Sequence, residues 1–155
     1  MAQQADYAAI KTGFMTKART LTEFFVHPYQ VTDDDADVNR GAIYYMICRP
    51  GAVPIGYVPR LETKKLYNVN WNIVFDLQHR YKSFKESWQH FADLRDAVLN
   101  KFVFTIDKSL PGTIGIWDVT ITAPEPPGQK PPEGAPTWIG QTLIAVISQR
   151  IDVTA

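Results

Sequence analysis

The strongest constraint on the fold is the stretch NVNWNIVFDLQHRY, which occupies residues 68–81. Every second residue in it is large: Val69, Trp71, Ile73, Phe75, Leu77, His79 and Tyr81. The polar residues between them are Asn68, Asn70, Asn72, Asp76, Gln78 and Arg80. This alternation is typical of a strand that buries one face and leaves the other polar. Because most strands have about five or six residues, such a long strand raises the question of what its polar face meets.

A helix is predicted directly after this strand. Ser83 and Glu86 have the spacing of a capping box, in which each side chain bonds the other residue's backbone N–H. One apolar stripe follows, made of Phe84, Trp88, Phe91, Leu94, Val98 and Phe102. The stripe needs an apolar surface, and we expect it to pack on the apolar face of the preceding strand.

The rest of the chain predicts further elements on both sides of this unit. Residues 5–25 have partly helical periodicity, and residues 42–53 form a β-rich run. Residues 53–66 are interrupted by proline and read as an exposed connection. Residues 114–123 predict a strand with Trp117, Val119 and Ile121 on one side, and residues 137–151 predict the last strand.

The last two strands are predicted to form a hairpin with a stiff tip. Residues 124–136 contain six prolines and two glycines, which exclude a helix or an interior strand. The last strand is apolar on both faces, with Ile139, Leu143, Ile147 and Ile151 on one and Trp138, Ile144 and Val146 on the other. Since one helix covers only one face, a further layer or another subunit is expected on the second.

The predicted fold class is therefore α+β. The 155 residues fit a single domain, 1–155. In it, a mixed or antiparallel sheet packs against a central helix, with an N-terminal helix and a long proline-rich β-hairpin.

Charge and composition exclude several classes of partner. Lysines plus arginines number 16, and aspartates plus glutamates also number 16. A chain without excess positive charge has no general attraction to nucleic acid or to an anionic membrane. No stretch approaches the roughly 18 apolar residues of a membrane span, and residues 1–15 lack the apolar segment of a signal peptide. The single cysteine, Cys48, lies in an apolar run and is expected to be buried and inert.

No motif for catalysis or cofactor binding occurs in the sequence. A nucleophile elbow, a Walker loop and a dinucleotide fingerprint are all missing from it. Asp76 and Asp118 could form an acid/base pair if their strands were neighbours, but exposed positions on half-polar strands are the favoured interpretation. A metal pair of His90 with Glu86 is disfavoured against an ordinary exposed helix pair. We expect no enzyme activity and no cofactor.

An acidic run, TDDDADVNRG, occupies residues 32–41 and contains four aspartates in five positions. The run lacks the central glycine and the terminal glutamate of a calcium-binding EF-hand loop. A solvated loop is therefore favoured over a metal site.

Four stretches together resemble a known protein family. They are VNRGAIYYMICRPGAVP, NVNWNIVFDLQHRYKSFKESWQHFADLRDAVLNKF, GIWDVTITAPEPP and TWIGQTLIAVISQRI, and they span residues 38–151. In element order and in short phrases they are similar to the tail-terminator proteins of tailed bacteriophages, also called tail-completion or neck proteins.

The resemblance implies a structural role in the virion, with assembly in the host cytoplasm. Such proteins form a ring, usually a hexamer, at the head-proximal end of the tail tube. The ring stops tube polymerisation and joins the tail to the head–tail connector. The implied partners are other copies of the chain, the tail tube protein and the connector or stopper protein. DNA only passes through the lumen, no membrane is involved, and the family brings no catalytic residues.

Carried onto this sequence, the resemblance gives candidate residues for a subunit interface or a lumen wall. They are Asn68, Asn70, Asn72, Asp76, Gln78 and Arg80 on the long strand, Asp33, Asp34 and Asp35 in the acidic run, and Pro126, Pro127, Lys130, Pro131 and Pro132 in the hairpin tip.

Other functions remain open from the sequence. Within the same class, the chain could be a stopper, an adaptor or a tail-tube subunit. From another class, it could be a monomeric α/β module that binds a ligand or peptide in an aromatic pocket between helix and sheet. A hydrolase that uses Asp76 and Asp118 is the least favoured.

Overall fold

A computed structural model of the chain describes residues 4–21, 25–27, 44–48, 57–61, 65–80, 84–130 and 138–153. Two helices and seven strands lie in these ranges. The helices are α1 (Tyr7–Ala18) and α2 (Phe84–Phe102). The strands are β1 (Phe25–His27), β2 (Tyr44–Cys48), β3 (Tyr57–Leu61), β4 (Leu66–Arg80), β5 (Ile116–Thr122), β6 (Gly128–Lys130) and β7 (Trp138–Asp152).

All of the described strands belong to one mixed sheet. Its order is β1-β2-β4-β7-β5, with β3 also paired to β4 and β6 also paired to β7. β1 and β2 are parallel, whereas the other pairs are antiparallel. The two helices and this sheet make the fold α+β, as the sequence predicts.

The pairing of β4 with β7 forms the centre of the sheet. Each strand has 15 residues, and the register runs without interruption from Leu66 opposite Asp152 to Arg80 opposite Trp138. At about 3.3 Å per residue, this ladder is about 50 Å long. The long strand predicted at residues 68–81 is therefore present, shifted by one or two residues at its ends.

Both helices pack on the same face of this ladder. The ring of Phe14 in α1 stacks on Phe102 of α2 at a centroid distance of 4.4 Å, and it contacts Phe75 of β4 at 5.3 Å. All three rings are fully buried. The core also contains Ile10, Met15, Ala18, Val69, Trp71, Ile73, Leu77, Phe91, Val98, Leu110, Val119, Ile139, Leu143, Ala145, Ile147 and Ile151. The predicted packing of helix on strand is confirmed.

The apolar stripe of α2 has the predicted orientation over most of its length. Phe91, Leu94, Val98 and Phe102 are buried, while Trp88 is half-buried against the core. Ser83, the first residue of the predicted capping box, lies outside the described residues.

The N-terminal helix is shorter than its periodicity suggests. Asp6 caps it by accepting a hydrogen bond from the backbone N–H of Ala9 at 3.0 Å, and the helix ends at Ala18. Residues 25–27, the first of which falls inside the predicted helical range, form β1 instead. Periodicity over 5–25 could not reveal this, because a three-residue strand depends on its neighbour β2 for every ladder hydrogen bond.

Two segments that the sequence assigned to irregular structure contain short strands. β3 lies within residues 53–66 and pairs with β4, although it contains Pro59. Proline is compatible with a strand at the edge of a sheet, and β4 is the one described neighbour of β3. β6 lies within the predicted hairpin tip at 124–136 and pairs with Gly140–Trp138 of β7. The described part of the tip therefore contains a short strand. Residues 131–137 lie outside the described part.

The connection between α2 and β5, residues 103–115, runs along α1 and is anchored to it. The ammonium of Lys17, which is only 8% exposed, donates to the carbonyl oxygens of Asp107 and Ser109 at 3.0 and 3.1 Å. Its nitrogen also lies 5.6 Å from the centroid of the Phe102 ring. At Gly13, a Cβ would lie 2.6 Å from the backbone oxygen of Pro111, so only glycine permits this approach of helix and connection.

The buried position of Lys17 changes its acidity. Desolvation lowers the pKa of the Lys17 ammonium below its ordinary value of 10.5. The carboxylate of Asp107 opposes this decrease, and the positive charges of Lys101 and Lys108 add to it.

We expect Phe91→Ala to lower the free energy of unfolding by about 3–5 kcal/mol, because it removes a fully buried ring and leaves a cavity. Trp88→Ala should cost clearly less, since the Trp88 side chain is only half-buried. Urea denaturation of both variants measures the difference. Equal losses would contradict the described orientation of α2.

We also expect the stability difference between the native chain and Lys17→Met to depend on pH. With a lowered pKa in the folded state, the unfolded chain binds more protons at this site between the folded pKa and 10.5. The native chain should therefore gain stability relative to Lys17→Met as the pH rises towards 10.5. Denaturation curves at several alkaline pH values measure this, and a difference that stays flat would exclude a lowered pKa.

Candidate functional site

The candidate site is the sheet face opposite α1 and α2, which we call the polar face. On β4 it carries Asn68, Asn70, Asn72, Val74 and Asp76, which alternate with the buried core residues. On β7 it carries Thr142, Ile144, Val146, Ser148 and Arg150. The asparagines and Asp76 are half-buried. The polar side of the predicted strand is thus confirmed, and β7 doubles its width.

Direct cross-strand pairs hold polar side chains together on this face. The hydroxyl of Thr142 donates to Asp76 Oδ1 at 2.6 Å, and these residues are opposite each other in the β4–β7 register. Likewise, the hydroxyl of Ser148 donates to Asn70 Oδ1 at 2.9 Å. Each pair supplies one of the acceptor oxygens on β4 with a donor from β7.

Trp117 belongs to the polar face, contrary to the sequence prediction. A bulge between Ile116 and Asp118 shifts the register of β5 against β7. The Trp117 side chain is 49% exposed, and its Nε1 donates to Asn68 Oδ1 at 2.9 Å, on the strand beyond β7. Strict alternation had placed Trp117 beside Val119, which is buried. One extra residue in a strand reverses the side on which the preceding side chains lie.

The middle of the polar face is apolar. Val74 is buried, and it lies opposite Ile144 of β7, which is half-buried. Val146, the next residue of β7 on this face, is also half-buried. The polar pairs described above flank this apolar centre along the strands. The expectation that a further layer or another subunit covers this side of β7 stays a prediction.

Acidic side chains outnumber basic ones on the described part of this face. Among its described side chains, Asp76, Asp118 and Asp152 are acidic and Arg150 is basic. The strands of the same sheet also contain Arg60, Arg80 and Lys130, whose side chains lie outside the described part. The carboxylate of Asp118 accepts a hydrogen bond from the backbone N–H of Val119 at 2.9 Å.

The structure separates the two aspartates that could have formed a catalytic pair. β7 lies between β4 and β5, so Asp76 and Asp118 are not on neighbouring strands. Their register partners, Thr142 and Ser148, are six residues apart along β7, which is about 20 Å. An acid/base pair needs its groups around one reacting atom, so these two residues do not form one.

Metal chemistry finds no support in the described part of the chain. Within these ranges, no group of three or more histidine, cysteine, aspartate or glutamate side chains is placed to hold an ion. His90 lies exposed on α2.

The other candidate residues are distributed between described and undescribed segments. Gln78 and Arg80 belong to β4, and Lys130 to β6, but their side chains lie outside the described part. Pro126 is exposed and Pro127 is half-buried between β5 and β6. Asp33, Asp34, Asp35, Pro131 and Pro132 lie outside the described residues.

Two buried glutamines on β7 were missed by the sequence analysis. Gln141 Nε2 donates to the carbonyl oxygen of Glu125 at 3.0 Å and so fixes the start of the proline-rich segment. Gln149 accepts a hydrogen bond from Trp71 Nε1 at 2.9 Å and donates to the carbonyl oxygen of Ile114 at 2.8 Å. Their burial could have been predicted from the sequence, because both glutamines lie on the otherwise apolar face of the last strand.

Aromatic rings fill the space between the helices and the sheet around Phe14 in the described structure. The aromatic rings there pack on one another and are fully buried. A surface pocket of about 180 Å³ lies at the start of α1 and is lined by Gln4, Asp6, Ala9, Ile10, Gly112, Thr113, Ile114 and Gln149. It is smaller than the roughly 300–1,000 Å³ of typical small-molecule sites.

Comparison with protein-family models and with curated proteins finds no match to this sequence. Of the two helices in the described ranges, neither is long and apolar enough to cross a membrane.

The hydrogen bond between Trp117 and Asn68 should be measurable as a coupling energy. We expect Trp117→Phe and Asn68→Ala to couple by up to about 1 kcal/mol, because each variant removes one partner of the same bond. As a matched control, Trp117→Phe combined with Asn72→Ala should be additive. Urea denaturation of the single and double variants gives both values, and additivity in the first pair would contradict the placement of Trp117.

Proposed function

We propose that this chain is a structural virion subunit, without enzymatic activity, that forms a ring at the head-proximal end of a phage tail tube. In this role it ends tube polymerisation and joins the tail to the head–tail connector. Its partners are other copies of itself, the tube protein and the connector or stopper protein. DNA passes through the lumen.

The resemblance to tail terminators supports this proposal through the segments that carry it. The stretch at 68–102 corresponds to β4 followed by α2, and the last two stretches correspond to β5 and β7. These are also the segments that form the core and the centre of the sheet. The likeness therefore lies in the parts of the sequence on which the fold depends.

The polar face is the single observation that carries the proposal. It extends over a 15-pair ladder, it lies opposite both helices, and its described charged residues are three acids and one base. A lumen wall must let DNA slide, and lysine-rich walls would hold its phosphates. The described side chains of this wall, which are polar and more often acidic than basic, fit that requirement.

The alternatives find less support in the geometry. A module that binds its ligand between helix and sheet needs a cavity there, and packed aromatic rings occupy that space. A hydrolase based on Asp76 and Asp118 needs the two carboxylates close together, and β7 separates their strands. Stopper and tail-tube roles use the same kind of surface and must be separated by experiment.

Electron microscopy of the full chain with its cognate tail tube tests the proposal. For this test, a gene for a tube protein is sought beside the gene for this chain, and the two proteins are co-expressed. We expect tubes of limited length with a single ring at one end, because a closed ring uses up the contacts that further growth would need.

Three outcomes would overturn the proposal. Indefinite stacking of this chain would identify a tube subunit instead. Binding to the connector alone, with tubes of unlimited length, would identify a stopper. A chain that stays monomeric by light scattering in the presence of tubes, and that leaves their length unchanged, would remove the virion role altogether.

A further inference from the structure

The indole ring of Trp117 lies exposed on the polar face and is fixed there by a hydrogen bond. Its side chain is 49% exposed, and its Nε1 donates to Asn68 Oδ1 at 2.9 Å. Trp117 belongs to β5 and Asn68 to β4, so the ring lies across β7, the strand between them. One face of the ring therefore points to the sheet and the other to solvent. We call the Trp117 ring with Asn68 and its neighbour Asn70 the tryptophan platform.

The backbone around Trp117 turns the ring onto this face. The bulge between Ile116 and Asp118 leaves Trp117 without a residue opposite it on β7. Gly115, which precedes the strand, has a φ of 78°, and a Cβ there would collide with the backbone oxygen of Arg150. Only glycine permits this approach. Bulges are frequent beside functional sites, where they redirect a side chain.

Hydrogen-bond donors flank the ring. The side-chain oxygen of Asn68 accepts from Trp117, and that of Asn70 accepts from the Ser148 hydroxyl at 2.9 Å. Each amide therefore keeps its NH2 group for another partner, and the described part of the chain contains no acceptor for either group. A ligand that fits the platform must bring an apolar surface for the ring and acceptors for the amides.

A proline-rich segment has this chemistry, because its rings are apolar and its prolines offer carbonyl acceptors without N–H donors. Aromatic surfaces bind such segments in several classes of domain. The chain has one of its own at residues 124–127, PEPP, in which Pro124 and Pro126 are exposed. We propose that the tryptophan platform of one copy binds residues 124–127 of a second copy. This inference rests on the proposed function for the arrangement of the copies in a ring, and it adds a contact that joins them.

Geometry excludes the segment of the same chain as the occupant. β5 ends opposite Ile144 of β7, and β6 begins opposite Gly140. Residues 124–127 therefore lie beyond Ile144 along β7. Asn68 lies opposite Arg150, which is six residues from Ile144 in the other direction, or about 20 Å. The contact thus joins two different surfaces of two copies, and contacts of this kind repeat around a ring.

The start of the proline-rich segment is held in place by its own chain. The buried side chain of Gln141 donates to the carbonyl oxygen of Glu125 at 3.0 Å, and Pro127 is half-buried. A segment that is fixed in advance loses less conformational entropy on binding.

Charge contributes little to this contact. The exposed side chain of Glu125 is attracted by Arg150 and repelled by Asp118, and both of these residues neighbour Trp117 on the polar face. The proline rings and the amide donors therefore carry the contact. A single-stranded nucleic acid also stacks on aromatic rings, but it brings one phosphate for each base. It is the weaker candidate, because acids outnumber bases among the described side chains of this face.

Nuclear magnetic resonance of the full chain with isotope-labelled tryptophan tests the chemistry. A synthetic peptide of residues 123–128 is added at millimolar concentration, which matches the effective concentration of linked sites. We expect the indole N–H signal of Trp117 to shift until it saturates. The signal of Trp71 should stay in place, because its indole is buried and bonded to Gln149. A peptide with alanine at the three proline positions should shift neither signal.

A pair of variants tests the amide donors. Asn70→Ala should raise the half-saturating peptide concentration about fivefold, because one hydrogen bond is lost. Asn72→Ala is the matched control and should leave it unchanged, since Asn72 lies further along β4 from the bond between Trp117 and Asn68. Thermal unfolding checks that both variants remain folded.

Photo-crosslinking of the full chain tests whether the segment comes from a second copy. The photoreactive residue p-benzoylphenylalanine replaces Pro126 in one protein and Pro111, an exposed proline outside the segment, in the control. We expect covalent dimers from position 126 at several times the control yield, with the adduct on the peptide that contains Trp117. Trp117→Ala should lower this yield several-fold.

The proposal is overturned if the peptide leaves the Trp117 signal in place, if the alanine peptide shifts it equally, or if Asn70→Ala and Asn72→Ala have equal effects. It is also overturned if position 126 crosslinks no better than position 111. A single-stranded oligonucleotide that shifts the signal where the peptide does not would make the platform a nucleic-acid site instead.

Failure of this contact and failure of the proposed function give different results. An unresponsive Trp117 alongside a ring at the tube end in micrographs would remove the contact and leave the function standing. Peptide binding and crosslinked dimers without any ring at tube ends would keep the contact and overturn the function.

Discussion

The structure depends on the antiparallel ladder between β4 and β7. It joins residues that are 58 to 86 positions apart in the sequence, and it sets the register of fifteen residue pairs at once. Because side chains alternate along a strand, this one register decides which residues of both strands lie under the helices and which form the polar face. A slip of one residue would turn Asn70 and Asn72 towards the helices and Trp71 away from them, so the buried apolar residues enforce the pairing.

The sequence was sufficient to predict the parts of the fold whose periodicity is strong. The alternation at 68–81, the stripe at 84–102 and the apolar last strand correspond to β4, α2 and β7. The short strands β1, β3 and β6 were not predicted. Strands of three to five residues carry too little pattern of their own, and they form because a neighbouring strand offers a free edge for hydrogen bonds.

The candidate site was predictable in position but not in detail. Alternation identified Asn68, Asn70 and Asp76 as one face, yet their partners on β7 and β5 depend on the register between strands that are distant in the sequence. Trp117 was misplaced because a bulge leaves no signal in a hydrophobic pattern. The exposure of Ile106 was not predicted either. The sequence does not show whether an apolar residue in a connection is buried or exposed.

The surfaces of the described structure differ in how far their side chains find packing or hydrogen-bond partners within the same chain. The helix-covered face is a filled core, and the polar face uses cross-strand hydrogen bonds to satisfy part of its own donors and acceptors. The connection after α2 does neither at Phe104 and Ile106, which are exposed although hydrogen bonds hold the neighbouring backbone. Ordering a segment costs conformational entropy. Phe104 and Ile106 do not offset this cost in the isolated chain, because their apolar side chains stay exposed instead of buried.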